Sequence, residues 1–349
     1  MTKNLKSLAS TLAVLIILIV GTAVVEAAQS ATLNVDGNDS ACNDDPGDPY
    51  CTIQGAINAA TSDDSIIVAA GTYTETLDLG GKSLTITGAG LGTTTVDASQ
   101  ASGYAISNFG NSTTVQELKL IGSGHYGFKV SHVSDITLKN IRVENSGKTG
   151  VDLNTVSGAT LSNVEVVDTV GGFGIMILDS SDVTVKDIKT RNNPWGGVSV
   201  HSVHADTENI SFEGGFDAGE DFPLLLEKDP PYGGDFVNVG IPDKFDYLVY
   251  GERESSGYRQ WHYQETLSAA KALAAALEAS SHTYVDTIIY DIDETTYYVI
   301  DDILIQDAVD AASSGDTVLV DSGTYTESVT IMKSLKLKAP SGATIVSPS

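Results

Sequence analysis

The sequence predicts an all-β fold, a right-handed parallel β-helix of short strands stacked coil on coil, and three observations predict it. The first is a period, which outranks any local propensity. Thr137-Leu138-Lys139-Asn140-Ile141, Thr160-Leu161-Ser162-Asn163-Val164 and Thr184-Val185-Lys186-Asp187-Ile188 align with steps of 23 (141 to 164) and 24 (164 to 188), and Leu118 stands 23 before Ile141. The second is a glycine ladder, Gly127, Gly150, Gly174 and Gly197, with steps of 23, 24 and 23. The third is the segment after each glycine. Phe128-Lys129-Val130, Val151-Asp152-Leu153, Ile175-Met176-Ile177 and Val198-Ser199-Val200 all alternate, so the outer residues face one side and the middle residue the other. Helical repeats are excluded because neither apolar run has 3.6-residue spacing.

The elements follow in order. Lys3 and Lys6 precede an apolar run from Leu12 to Val20, and small residues end in Val25-Glu26-Ala27. This reads as an export signal over residues 1–27, cleaved after Ala27. The run to Val25 is shorter than the roughly 20 apolar residues of a spanning helix, and no later segment is apolar enough to cross a bilayer. The two cysteines, Cys42 and Cys51, lie in a stretch of Asp, Asn, Gly and Pro, where one disulfide is expected in an exported chain. Residues 53–60 have helical apolar spacing at Ile53, Ala56, Ile57 and Ala60 and are expected to cap the first coil, ahead of the strand Ser65-Ile66-Ile67-Val68.

Next come Ala70-Gly71-Thr72-Tyr73-Thr74-Glu75, Lys82-Ser83-Leu84-Thr85-Ile86-Thr87-Gly88 and Thr94-Thr95-Val96-Asp97. This opening resembles the pectin-lyase-like β-helix superfamily, in the form shared by pectin methylesterases and right-handed β-helix surface proteins. The resemblance covers about residues 33–215 and implies the fold, not a chemistry. The Gln-containing and Asp-containing strand motifs of pectin methylesterases and their Gly-Arg-x-Trp element have no counterpart here, so none of their catalytic residues carries over.

Residues 216–299 break the period and are expected to be irregular strands with one helix over 264–279, a stretch rich in strong helix formers. Trp261, Tyr258 and Tyr263 precede that helix and are candidates for stacking on sugar rings, or for packing beneath it. The opening then recurs. Ile305-Gln306-Asp307-Ala308-Val309 matches Ile53 to Ile57 at an offset of 252, as Gly323 to Glu327 matches Gly71 to Glu75. A second, incomplete β-helix is therefore expected over 300–349.

The formal charge is −27, and removing Lys3, Lys6 and Glu26 takes the mature chain to −27 − 1 = −28. Nucleic acid is excluded as a partner on that ground. An anionic polysaccharide would need a local basic patch or bound Ca²⁺ to approach. No other cofactor and no dedicated metal site is expected.

The repeat alignment also gives the outward rows: Lys129, Asp152, Met176, Ser199; Ser131, Asn154, Leu178, His201; and Lys119, Arg142, Glu165, Lys189. None stacks the two carboxylates that glycoside hydrolysis needs roughly 5–10 Å apart. The nearest catalytic constellation is Asp179 and Asp182 with His201, His204 and Asp206 one coil on, and for lyase chemistry Arg142 with Glu165, or Arg191 near Asp168. Against these stand turn-forming Asp and surface ion pairs. Asn145, Asp168 and Asn192 fall at one turn, where a stacked polar ladder is expected. These observations point to an exported or cell-surface protein for glycan binding or adhesion. The alternative is a polysaccharide lyase, hydrolase or esterase with its site on the coils from 129 to 206.

Overall fold

The computed structural model of the protein describes residues 30–46, 49–280, 282–300 and 303–348. The expected export signal lies outside them. The chain folds as the predicted parallel solenoid. In each coil a short strand such as Val151–Asn154 turns a corner into a longer, bent one such as Ser157–Val167. Each residue then stacks on its equivalent one coil away. Val151 lies between Phe128 and Ile175, Leu153 between Val130 and Ile177, and Leu161 between Leu138 and Val185. These inward residues are fully buried and fill the bore. Coil stacking of this kind makes burial cooperative, because each apolar layer is covered by its neighbours.

The glycine ladder has a steric cause. A Cβ on Gly127 would stand 2.5 Å from the carbonyl oxygen of Gly150, and one on Gly174 would stand 2.8 Å from that of Gly197. Only hydrogen fits where one coil's backbone passes so close under the next.

The coil corners use left-handed backbone, which Asn and Asp tolerate best. Asn140, Asn163 and Asp187 have φ of 50°, 51° and 51°, and Asn145, Asp168 and Asn192 have 58°, 59° and 56°. Their side chains form ladders between coils: the Asn163 amide donates to Asn140 Oδ1 at 2.9 Å, and the Asn192 amide to Asp168 Oδ1 at 2.9 Å.

Helix α1 (Ile53–Ala59) buries Ile53, Ala56 and Ile57 against the first coil. The Thr52 hydroxyl caps it by accepting from Gly55 N at 2.9 Å, and Cys42 and Cys51 form a disulfide just before it. The Glu75 carboxylate accepts from the Ile53 and Gln54 amides at 2.9 and 2.8 Å, and Lys82 Nζ donates to the Ile57 carbonyl at 2.7 Å.

Two features stand out beyond residue 215. The coils continue: Leu224–Lys228 pairs in parallel with Gly196–Ser202, and Phe236–Val239 with Thr207–Ala218. The fixed period fails there because a turn lengthens, not because stacking ends. The following segment is a regular antiparallel set, Tyr247–Arg253, Arg259–Gln264 and Tyr284–Asp291, with helix α2 (Leu267–Glu278) packed on it.

The second opening is joined to the coils before it through one sheet. One 13-stranded sheet runs from the first coils through the antiparallel strands to Thr296–Val299, Thr317–Val320 and Lys336–Lys338. Helix α3 (Ile305–Ala311) repeats the arrangement of α1: Glu327 accepts from the Ile305 and Gln306 amides at 2.8 and 2.9 Å, and Lys333 Nζ donates to the Asp310 carbonyl at 2.8 Å.

Candidate functional site

The outer face of the long sheet carries the first two outward rows in the order the sequence gives, and the structure extends them. Ser199 is followed by Leu225 and, across the antiparallel pair, by His262 and Val249. His201 is followed by Glu227, Gln260 and Gly251. Helix α2 lies over these rows without closing on them. It leaves a cavity of about 510 Å³ with Phe173, Trp195, Phe222 and Tyr284 among its walls and His201, Glu227, Arg253 and His262 among its polar groups.

A line of polar groups runs across the cavity floor. His201 Nδ1 is 3.4 Å from Glu227 Oε1 and its Nε2 is 3.0 Å from Ser199 Oγ. The Gln260 amide donates to Glu227 Oε2, the Tyr284 hydroxyl donates to Gln260 Oε1 at 3.0 Å, and Arg253 Nε donates to the Tyr284 hydroxyl at 3.3 Å. Burial by itself would raise the Glu227 pKa, but the hydrogen bonds from His201 and Gln260 and the charge of Arg253 hold it down to about 2. Glu227 is therefore ionised and accepts from His201 Nδ1–H, which leaves His201 Nε2 beside the Ser199 hydroxyl.

His262 is the odd member. It is 3% exposed, its ring lies 5.4 Å from that of Phe222, and neither ring nitrogen has a hydrogen-bond partner. Burial pushes its pKa down to about 4, so at neutral pH it carries one donor and one acceptor, both unsatisfied, beneath the cavity. Trp195 stands at the rim, 58% exposed, with its ring edge-on to Phe173 at 5.8 Å.

Of the residues picked out by sequence, His201 lies in this cavity and the others do not join it. The Asp179 carboxylate accepts from the backbone amides of Val203 and His204, at 2.7 and 3.1 Å, and so organises a turn. The His204 ring packs edge-on to Tyr232 at 4.7 Å, and Asp206 Oδ1 accepts from Asp235 N at 2.9 Å. Arg191 pairs with Asp217 at 2.5 Å at a different corner. Arg142 sits in a surface ion network with Glu144 and Glu165, which Lys119 and Lys189 extend.

Trp261 and Tyr263 turn toward the bore, away from α2, where Trp261 packs on Phe236 and Tyr250 and Tyr263 on Phe245. Tyr258 stays on its hairpin, its pKa raised by burial and by a hydrogen bond to Asp229. Sequence reasoning missed Glu227, Arg253, Gln260, His262 and Trp195. The alternation Gln260-Trp261-His262-Tyr263-Gln264 carried a signal: if Trp261 and Tyr263 face the core, His262 faces the other side.

Parallel coils in register around a bore of Val, Ile and Leu make this a right-handed parallel β-helix protein. Residues 85–219 match the family described as a right handed beta helix region. Among solved structures, the chain is similar to pectate lyase Pel9A, at 13% identity over 92% of this chain and 79% of that one, with a TM-score of 0.43. It is also similar to the catalytic domain of a GH87 alpha-1,3-glucanase in complex with nigerose, at 12% identity over 60% of this chain and 57% of that one, with a TM-score of 0.31. No curated protein matches it.

Proposed function

We propose that the protein is an exported glycan-binding protein whose recognition site is the cavity between the last coils and α2. The observation that carries this is the pairing of an exposed aromatic rim, Trp195, with the buried, neutral and unpartnered His262 at the floor. A sugar ring has an apolar face that stacks on an aromatic side chain and a rim of hydroxyls that require paired donors and acceptors. The cavity supplies both. The Cys42–Cys51 disulfide fits an oxidising compartment, in line with the expected export signal. Among the described residues no helix is long and apolar enough to cross a membrane.

A glycan array with the mature chain tests the reading. Binding is expected to fall at least tenfold in Trp195→Ala and in His262→Phe, and to survive chelation, because no cluster of three or more His, Cys, Asp or Glu among the described residues could hold a metal ion. An array that stays blank, or binding that both variants retain, would sink it.

One observation favours a second reading, carbohydrate ester hydrolysis: Ser199, His201 and Glu227 stand in the order of an acyl-transfer triad. Ser199, however, is fully buried and does not line the cavity, so its hydroxyl has no open approach for an ester. Acetate release from acetylated xylan, abolished by Ser199→Ala, would establish this reading over binding alone. Hydrolysis of glycosidic bonds by paired carboxylates is less well supplied, because Glu227 is the one carboxylate among the described residues lining the cavity.

A further inference from the structure

The first two members of the outward row, Lys129 and Asp152, pair in register across adjacent coils of the long sheet. Their contact differs from the other ion pairs of the solenoid. In Lys119–Glu144, Arg142–Glu165 and Lys189–Glu165 every carboxylate side chain is at least 21% exposed, so water shares the charge. The Asp152 side chain has no exposure at all, and that of Lys129 has 18%. Among the ion pairs of the described residues this is the one whose carboxylate is sealed from water. Asp152 Oδ2 takes the Lys129 ammonium, while Oδ1 is buried with no hydrogen-bond partner. A buried pair left half-satisfied in this way is costly to keep ionised.

The surroundings hold the amine and supply a route for protons. Lys129 Nζ lies 5.1 Å from the centre of the Tyr126 ring, and His125 packs edge-on to that ring at 4.7 Å. Tyr104 packs against both rings, at 5.1 Å from His125 and 5.9 Å from Tyr126. His125 Nδ1 is buried and has no hydrogen-bond partner. Burial raises the Asp152 pKa, and Lys129 offsets only part of that. Burial and the nearby charges of Lys148 and Lys129 lower the His125 pKa. An amine therefore stands against a carboxyl that takes up a proton more readily than usual, beside an imidazole that is neutral at neutral pH.

We propose that Lys129 and Asp152 condense to an isopeptide bond that joins the two coils covalently. One proton of the Lys129 ammonium passes by way of His125 to the Asp152 carboxylate, leaving a neutral amine and a carboxylic acid. Nζ then attacks Cγ. The Nζ–Cγ bond forms, the Cγ–OH bond breaks, and the hydroxyl leaves as water with a second proton from Nζ. The step changes no oxidation state and needs no further reactant. It replaces two charges held in a dry place by one neutral amide, which removes the desolvation cost of the pair. The bond would tie residues 23 apart in sequence and keep the two coils stacked when the chain is strained or partly opened. It is independent of the glycan-binding reading.

Intact-mass spectrometry of the mature chain, with its disulfide reduced, tests the proposal on the wild type alone. The mass is expected to fall one water short of the sequence. Trypsin cannot cut after an acylated lysine, so a digest is expected to contain one branched peptide joining residues 120–139 to residues 149–186. Fragmentation of that peptide places the link at Lys129 and Asp152. A full sequence mass would overturn the proposal, as would a lost water confined to a single linear peptide, which is the signature of an aspartate cyclised on its own backbone. Lys129→Arg is expected to restore the full mass, and a deficit that persists in it would also overturn the link. In His125→Phe the fraction cross-linked soon after synthesis is expected to be lower by roughly tenfold or more, since a proton carrier is missing. An equal fraction would overturn the part given to His125.

Discussion

At the residue scale, His262 determines both the candidate chemistry and a dependence on pH. Its pKa is depressed from 6.5 to about 4, so the folded protein binds fewer protons than the unfolded chain between those values. Its contribution to stability is complete above pH 6.5 and is lost as the pH falls toward 4. Melting temperatures measured across this window are expected to fall for the wild type and to fall less for His262→Phe. Glu227 acts lower down: with its pKa held at about 2 instead of 4.5, its contribution is present above pH 4.5 and disappears as the pH drops to about 2. Asn163 makes the corner argument testable. At φ 51° and bonded to Asn140, it is expected to lose about 2 kcal/mol on replacement by Ala and less by Gly, as chemical denaturation would read. The corner ladder at Asn145, Asp168 and Asn192 was legible from register alone. His262 was not, since nothing local says which face of a strand will be roofed by a helix folded back from later in the chain.

At the element scale, the chain builds one device twice. The carboxylates of Glu75 and Glu327 each accept two amides at the start of a seven-residue helix, which is too short to stand without tertiary support. Glu75→Ala and Glu327→Ala are each expected to cost about 2 kcal/mol and to raise amide exchange in α1 or α3 respectively, leaving the other helix protected. The helical spacing of both segments and their offset of 252 could be read directly from sequence. The role of the glutamates could not, because it joins residues about one coil apart through a contact that exists only after the coil closes. The glycine ladder was visible as a pattern, and the structure adds its cause. Gly150→Ala would drive a Cβ to 2.2 Å from Val166 Cγ1 and is expected to destabilise the coils by about 1–3 kcal/mol in denaturant titration.

At the scale of the whole molecule, the antiparallel strands are the seam. Leu224 pairs with Tyr263, Tyr263 with Leu248 and Leu248 with Tyr290, so the apolar row of the bore continues into the segment that joins the second opening. Tyr263→Ala is expected to cost about 3–5 kcal/mol and to reduce exchange protection on both sides of the seam, in Leu224–Lys228 and in Tyr284–Asp291. Loss of protection on one side only would count against a shared core. The sequence by itself determined the solenoid, because a period of 23 to 24 residues with apolar, glycine and Asn/Asp positions in register admits few other ways of burying the same rows. Only the tertiary structure decided where those rows end and what lies over them. Val96 and Ile345 occupy equivalent places beside Tyr73 and Tyr325, yet Val96 is fully buried and Ile345 is 47% exposed. Burial in a stack is a property of the neighbouring coil, and the candidate site exists because α2, far along the chain, comes back over the row that His201 and His262 flank.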